Sequence, residues 1–132
     1  MSAAIVVGWT PDVHGEAALS RGLEEARLRD ARVVVVNATR GDALVDERYA
    51  SAEQLTRLET SIAGSDVAVE VRRSMGADVA DQVLGVADEV GALLVVIGLR
   101  RRTPVGKLIM GSVAQRILLG AACDVLAVKA PH

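Results

Sequence analysis

The chain has 132 residues, a formal net charge of −2, no phenylalanine, one tryptophan (Trp9), one tyrosine (Tyr49) and one cysteine (Cys123). That length suits a single domain, read as residues 1–132, with a core of its own. The near-balanced charge gives no general attraction to nucleic acid or to an anionic membrane, the scarcity of aromatics gives no stacking platform for single strands, and one cysteine allows no intrachain disulfide.

The opening residues, Met1 to Gly8, are too few and lack the basic flank of a signal peptide. No apolar run approaches the roughly 18 residues of a membrane span. A cytoplasmic protein with neither membrane nor nucleic acid as partner is expected.

Residues 3–9 are uninterruptedly apolar and predict a first strand, ended by the turn signal Thr10-Pro11-Asp12. Between residues 14 and 30, Ala18, Leu19, Gly22, Leu23, Ala26 and Leu28 recur at helical spacing. Residues 32–38 contain Val33 to Val36, a β-branched run suited to a strand buried on both faces. A polar connection over 40–49 leads to a second helix over 50–62. Residues 66–72 alternate Val67, Val69 and Val71 with smaller or polar neighbours, which predicts a half-exposed strand near a sheet edge.

Gly76 and Ala77 precede Asp78, an N-cap candidate for a third helix with Val79, Val83, Val86, Ala87 and Val90 on one face, and Gly91 stops it. A fourth strand is expected at 92–97, a fourth helix at 113–119 and a fifth strand at 124–128. Strands separated by helices imply a parallel sheet sandwiched between helices. Ligands of such open sheets sit beyond the carboxyl ends of the strands, where strand order reverses. Both the turn at 9–12 and the long loop 98–111 fall on that side.

The long loop begins at Gly98, carries Arg100, Arg101, Arg102 and Lys107, and ends at Gly111 and Ser112 before the fourth helix. A helix start offers unpaired N–H groups and the positive end of a dipole, both favourable to an anion. Glycine there lets the backbone approach a ligand closely, although Ser112 would also suit a helix cap with no ligand. The loop is not a P-loop: Gly106-Lys107 is followed by Leu108, and Arg101 stands where the first glycine is required. No Gly-x-Gly-x-x-Gly follows the first strand. No nucleophile, base and orienting group assemble in the pattern, and neither His14 nor His132 has a suggested partner.

The segments Ile5-Val-Val-Gly8, Glu16-Ala-Ala-Leu19, the Gly76 turn, Val95-Val-Ile-Gly98 and the run from Gly111 to Val128 together resemble the universal stress protein family over essentially the whole chain. Nucleotide-binding members carry Gly-x2-Gly-x9-Gly-Ser/Thr between the fourth strand and fourth helix. Gly98, Gly111 and Ser112 match that spacing, and Arg101 replaces the second glycine. The resemblance implies a Rossmann-like α/β fold of the adenine nucleotide alpha hydrolase-like type: an open five-stranded parallel sheet sandwiched by helices, strand order 3-2-1-4-5. It implies a regulatory, stress-response module that binds an adenine nucleotide, ATP, with or without Mg²⁺, and is not an enzyme beyond slow ATP hydrolysis. Gly98, Gly111, Ser112, Val113 and Ala114 would surround the phosphates. Ala38 would offer backbone polar atoms to adenine, and Gly8, Trp9, Thr10 and Ile97 would form the wall.

Two positions depart from that pattern. Many ATP-binding relatives have Asp where this chain has Thr10, which leaves Asp12, otherwise a turn former, as the carboxylate available to a metal. Arg101 either fills the pocket or grips phosphate with its planar guanidinium; Trp9 either packs in the core or lies beside adenine. The family also implies a homodimer through the last strand, Asp124-Val-Leu-Ala-Val128, whose apolar edge invites pairing. The alternative is a dimeric interaction module of the same fold that binds no nucleotide.

Overall fold

The computed structural model describes residues 3–39, 49–99 and 110–130. Strands and helices alternate along it: β1 (Ala3–Gly8), α1 (Val13–Arg29), β2 (Ala31–Thr39), α2 (Ala52–Ala63), β3 (Val69–Met75), α3 (Val79–Val90), β4 (Leu94–Leu99), α4 (Ser112–Gly120) and β5 (Asp124–Lys129). The strands form one sheet in the order β3-β2-β1-β4-β5, and every neighbouring pair is parallel. This is the expected doubly covered sheet.

The valine-rich runs build both faces at once. Ile5, Val7, Val33, Val35 and Val96 pack on one side with Ala18, Leu19 and Ala26 of α1 and Leu58 of α2. Val6, Val34, Val36, Val95 and Ile97 pack on the other with Ala80, Val83 and Ala87 of α3 and Ile117 of α4. Because successive side chains alternate faces, a strand covered on both sides must be apolar at every position.

The helix ends follow local chemistry. Asp12 caps α1, Ser51 and Gln54 form a reciprocal capping box on α2, and Asp78 accepts from the Asp81 N–H at the start of α3. Gly91 ends α3 at φ 61°, a left-handed conformation that costs glycine little.

Several boundaries differ from the sequence expectation. β1 stops at Gly8, although the Trp9 N–H still donates to the Val36 carbonyl at 2.9 Å. β3 runs over Val69–Met75 instead of 66–72. Upstream, Asp66 is drawn to Arg27 at 2.9 Å and the Val67 N–H to the Ser65 hydroxyl, so ladder register begins at Val33–Val69. Downstream, β2 continues to Thr39 and carries β3 with it to Met75. On this edge strand Arg72 pairs with Glu70 and with Glu89 of α3, and the Arg72 hydrogen bond holds the Glu70 carboxyl below its ordinary range.

One polar side chain interrupts the valine run of β2. Asn37 is fully buried; its Nδ2 donates to the Trp9 carbonyl at 3.1 Å and its Oδ1 accepts from the Ala50 N–H at 2.8 Å. It joins the exit of β1 to the chain returning toward α2, where Arg73 lies over the Tyr49 ring and donates to the Ala50 carbonyl. Replacing Asn37 by Leu leaves a buried carbonyl and a buried N–H without that partner, each costing about 1–3 kcal/mol. Asn37→Leu is therefore expected to lower unfolding free energy by about 2–4 kcal/mol in a urea titration, and a loss under 1 kcal/mol would contradict this role.

Candidate functional site

β1 is outrun by both its neighbours. Gly8 pairs with Val36 and with Ile97, while β2 continues to Thr39 and β4 to Leu99. The centre of the sheet's carboxyl edge is thus a notch, placed where strand order reverses. A cavity of about 340 Å³ occupies it, between α3 and α4.

One part of this cavity is aliphatic. Val36 and Ala38 come from the end of β2, Val79 and Val83 from α3, and Ile117 from α4. Val36 turns its carbonyl toward β1, where Trp9 donates to it, whereas Thr39 turns its carbonyl to the other side, where the Gly76 N–H donates. Backbone polar groups alternate sides along a strand, so Ala38 points its N–H and C=O to the side that β1 has vacated. A flat apolar slot with a polar backbone edge results.

The other part is the start of α4. Gly111 is its N-cap and no side chain caps it, unlike α1, α2 and α3. Ser112 is the first helical residue and does not take the capping position that its sequence context also suited. The first intrahelical bond is Gln115 N–H to the Gly111 carbonyl, so the N–H groups of Ser112, Val113 and Ala114 have no helical acceptor. All three residues line the cavity. Unpaired donors and the positive dipole end favour an anion there.

The two glycines of the motif have different reasons to be glycine. A Cβ on Gly98 would lie 2.5 Å from the His14 carbonyl oxygen, so Gly98 lets the first turn of α1 settle against the end of β4. A Cβ on Gly111 would meet no described atom within 4 Å, and its φ of −71° is open to any residue. Among the described residues Gly111 faces open space, which would suit close approach by a ligand.

The turn between β1 and α1 is pinned by Asp12. Its Oδ1 accepts from the Thr10 hydroxyl at 2.9 Å, the His14 N–H at 3.1 Å and the Gly15 N–H at 3.0 Å. Thr10 and His14 line the cavity; Asp12 instead lines a neighbouring groove between α1 and α2. The described cavity walls carry no Asp, Glu, Lys or Arg, and no group of three or more His, Cys, Asp or Glu among the described residues is placed to hold a metal.

Of the residues singled out from sequence, Gly8, Trp9, Thr10, Ala38, Ile97, Gly98, Gly111, Ser112, Val113 and Ala114 all border this one cavity. Arg101, with Arg100, Arg102 and Lys107, lies outside the described residues. The Trp9 side chain is 3% exposed, packs in the α1–α2 layer and points Nε1 to Glu16 at 3.3 Å. Sequence reasoning missed Val36, Val79, Val83, Met110 and Ile117, whose apolar character marks core and cavity wall alike. It also left His14 without a role, because its neighbour Gly98 is distant in sequence.

Comparison with known proteins agrees with this fold. The model of the universal stress protein family matches residues 1–129. A universal stress protein of Mycolicibacterium smegmatis is 48% identical over 128 residues, 97% of this chain and 98% of that protein. A universal stress protein from Archaeoglobus fulgidus, solved in complex with dAMP, superposes with a TM-score of 0.68 at 26% identity, covering 98% of both chains. A further universal stress protein structure, in complex with cAMP, gives a TM-score of 0.74 at 25% identity with the same coverage.

The steric contrast at the two glycines is directly measurable. Gly98→Ala is expected to destabilise the fold by about 1–3 kcal/mol through overpacking. Gly111→Ala and Ser112→Ala should each stay within about 0.5 kcal/mol of the wild type. Denaturant titration of the three variants checks both statements, and equal losses at Gly98 and Gly111 would contradict the assignment.

Proposed function

The chain belongs to the universal stress protein family, and from that premise we propose that its cavity binds an adenine nucleotide, ATP in the first instance, and that occupancy serves a regulatory role in stress response. The observation that carries this reading is the pairing of an uncapped α4 N-terminus, beside a Gly111 open to close approach, with an aliphatic slot edged by the Ala38 backbone.

In this reading adenine lies in the slot between the end of β2 and Val79 and Val83 of α3. The Ala38 N–H and C=O meet its polar edge. Phosphates lie against Gly98, Gly111 and the N–H groups of Ser112, Val113 and Ala114, with the Ser112 hydroxyl as a further donor. The solved relatives named above hold dAMP and cAMP, ligands with the same base and at least one phosphate.

The described walls do not fit a protein-held Mg²⁺. Asp12 is committed to the α1 cap and lines the other groove. Mg²⁺ would therefore enter only with ATP, on phosphate oxygens. The described lining also brings together no nucleophile with a base, which favours a binding module over an efficient hydrolase.

A ligand that touches α3, α4 and the ends of β1, β2 and β4 ties both helices of one layer to the sheet. Binding to the folded state alone raises stability by mass action. Bound and empty forms would then differ at the α4 start, where a partner protein can read the difference.

We extend the proposal to assembly. Among the described residues β5 pairs with β4 on one side and with no strand on the other, and at the end of α4 Leu119 is 88% exposed. An apolar edge strand of this kind pairs with a second copy across a twofold axis.

Nucleotide-free protein titrated calorimetrically with ATP, with and without Mg²⁺, is expected to bind with Kd below about 1 mM, that is, more favourably than about −4 kcal/mol. Trp9 emission should change in step. Gly111→Ala, which adds a methyl group where the phosphates approach, should weaken ATP at least about tenfold while remaining folded. Absence of binding to wild type at millimolar ATP overturns the reading. Sedimentation at low micromolar concentration should give a dimer, and a pure monomer would refute the β5 pairing.

A further inference from the structure

We propose that His14 donates a hydrogen bond to the phosphate of the bound nucleotide and makes the cavity selective for phosphorylated over unphosphorylated adenosine. This deepens the nucleotide reading above and rests on it.

The position of His14 is set by the tightest backbone approach at the cavity. A Cβ on Gly98 would lie 2.5 Å from the His14 carbonyl oxygen and 3.0 Å from the His14 Cβ. The His14 Cβ therefore lies beside Gly98, near the end of β4. His14 is one of the residues that line the cavity.

Its hydrogen-bonding groups are uncommitted. Nδ1 is buried and finds no partner among the described residues, and no described group bonds to Nε2. An imidazole carries at least one N–H donor in every protonation state. A buried polar atom without a partner is costly, and such atoms in a native structure call for an explanation. A bound anion supplies it: either nitrogen can present its N–H to a phosphate oxygen after a ring rotation, with little movement of the backbone.

Among the described residues, the neighbouring groups leave this task to His14. The Thr10 hydroxyl donates to Asp12. The first N–H groups of α1, those of His14 and Gly15, also go to Asp12, whose carboxylate offsets the dipole of that helix. Glu16 is turned to Trp9 Nε1. Among the described lining residues His14 is the one side chain able to carry positive charge. With the α4 N–H groups opposite, a phosphate would sit between neutral backbone donors and an imidazole, and hydrogen bonds to an ionised acceptor are about twice as strong as neutral ones.

The test uses nucleotide-free full chain, with AMP and adenosine as probes, in wild type, His14→Ala and His14→Gln. Calorimetry is expected to show wild type binding AMP more tightly than adenosine. His14→Ala should weaken AMP about tenfold and leave adenosine within about twofold, with His14→Gln between them for AMP because it keeps a donor. In ¹⁵N spectra of the wild-type imidazoles, a His14 nitrogen should shift with AMP and stay in place with adenosine, a readout that does not depend on any variant folding.

AMP binding unchanged in His14→Ala, or AMP and adenosine weakened equally, overturns the His14 assignment while the nucleotide reading stands. Wild type that binds neither probe, nor ATP, overturns both. An imidazole spectrum indifferent to AMP in protein that binds it also overturns the assignment.

Discussion

The central strand of this sheet stops before its neighbours, and the rest of the site depends on that mismatch. β1 ends at Gly8, opposite Val36 and Ile97, while β2 and β4 run on. A strand cut short in the middle of a sheet exposes backbone edges that must be covered or used. Here one part is covered, because the Trp9 N–H reaches Val36 and the Trp9 carbonyl reaches Asn37. The remainder, around Ala38, Ile97 and Gly98, is left facing a cavity. The chain can turn back so soon because Asp12 gathers Thr10, His14 and Gly15 onto one oxygen and because Gly98 has no side chain to obstruct α1.

The same economy separates stabilising helix starts from the one that faces the cavity. Asp12, Ser51 and Asp78 satisfy the opening N–H groups of α1, α2 and α3. At α4 the equivalent position is Gly111, which satisfies none. A side-chain cap there would add about 1 kcal/mol of stability and would also occupy the anion position. Local rules of good helix design are commonly broken at functional sites, and the start of α4 breaks one of them. The helix is held by other means: Ile117 is buried against α3 and the sheet, and Arg116 bridges to Asp78 and Asp81 across the α3–α4 seam. Stability is thus supplied on the flank of α4 and withheld at its mouth.

Much of the fold was legible in the residues. Val33 to Val36 and Leu94 to Ile97 are apolar at every position, which only a strand buried on both faces requires. Asp78 and Gly91 bracket α3 through the chemistry of caps. The edge character of β3 was visible in its alternation, but not its limits, since β2 decides how far it runs and Arg27 draws Asp66 away from it. Within the site, Gly98, Gly111 and Ser112 could be found by spacing. Val79, Val83 and Ile117 could not, because an aliphatic wall of a cavity has the same pattern as a packed core. Asn37 was concealed by its position in a valine run, and Trp9 and Ala50, to which it bonds, lie far from it along the chain.

By itself, then, the sequence determined the order of elements and the two-sided burial of the central strands, and it singled out the loop for which a phosphate site is proposed, since each is a matter of local periodicity, capping chemistry and spacing. Tertiary structure alone decided why the motif glycines are there and what surrounds them. Gly98 is glycine because of His14, Gly111 because nothing in the described protein fills the space beside it, and Ser112 opens a helix without capping it. Asp12 is directed to α1 and not to the cavity, while His14 is directed to the cavity with no partner for its Nδ1. The Gly98–His14 contact joins residues tens of positions apart and is set by close packing, whereas the Asp12 bonds are local, and only the folded turn shows which groups they take.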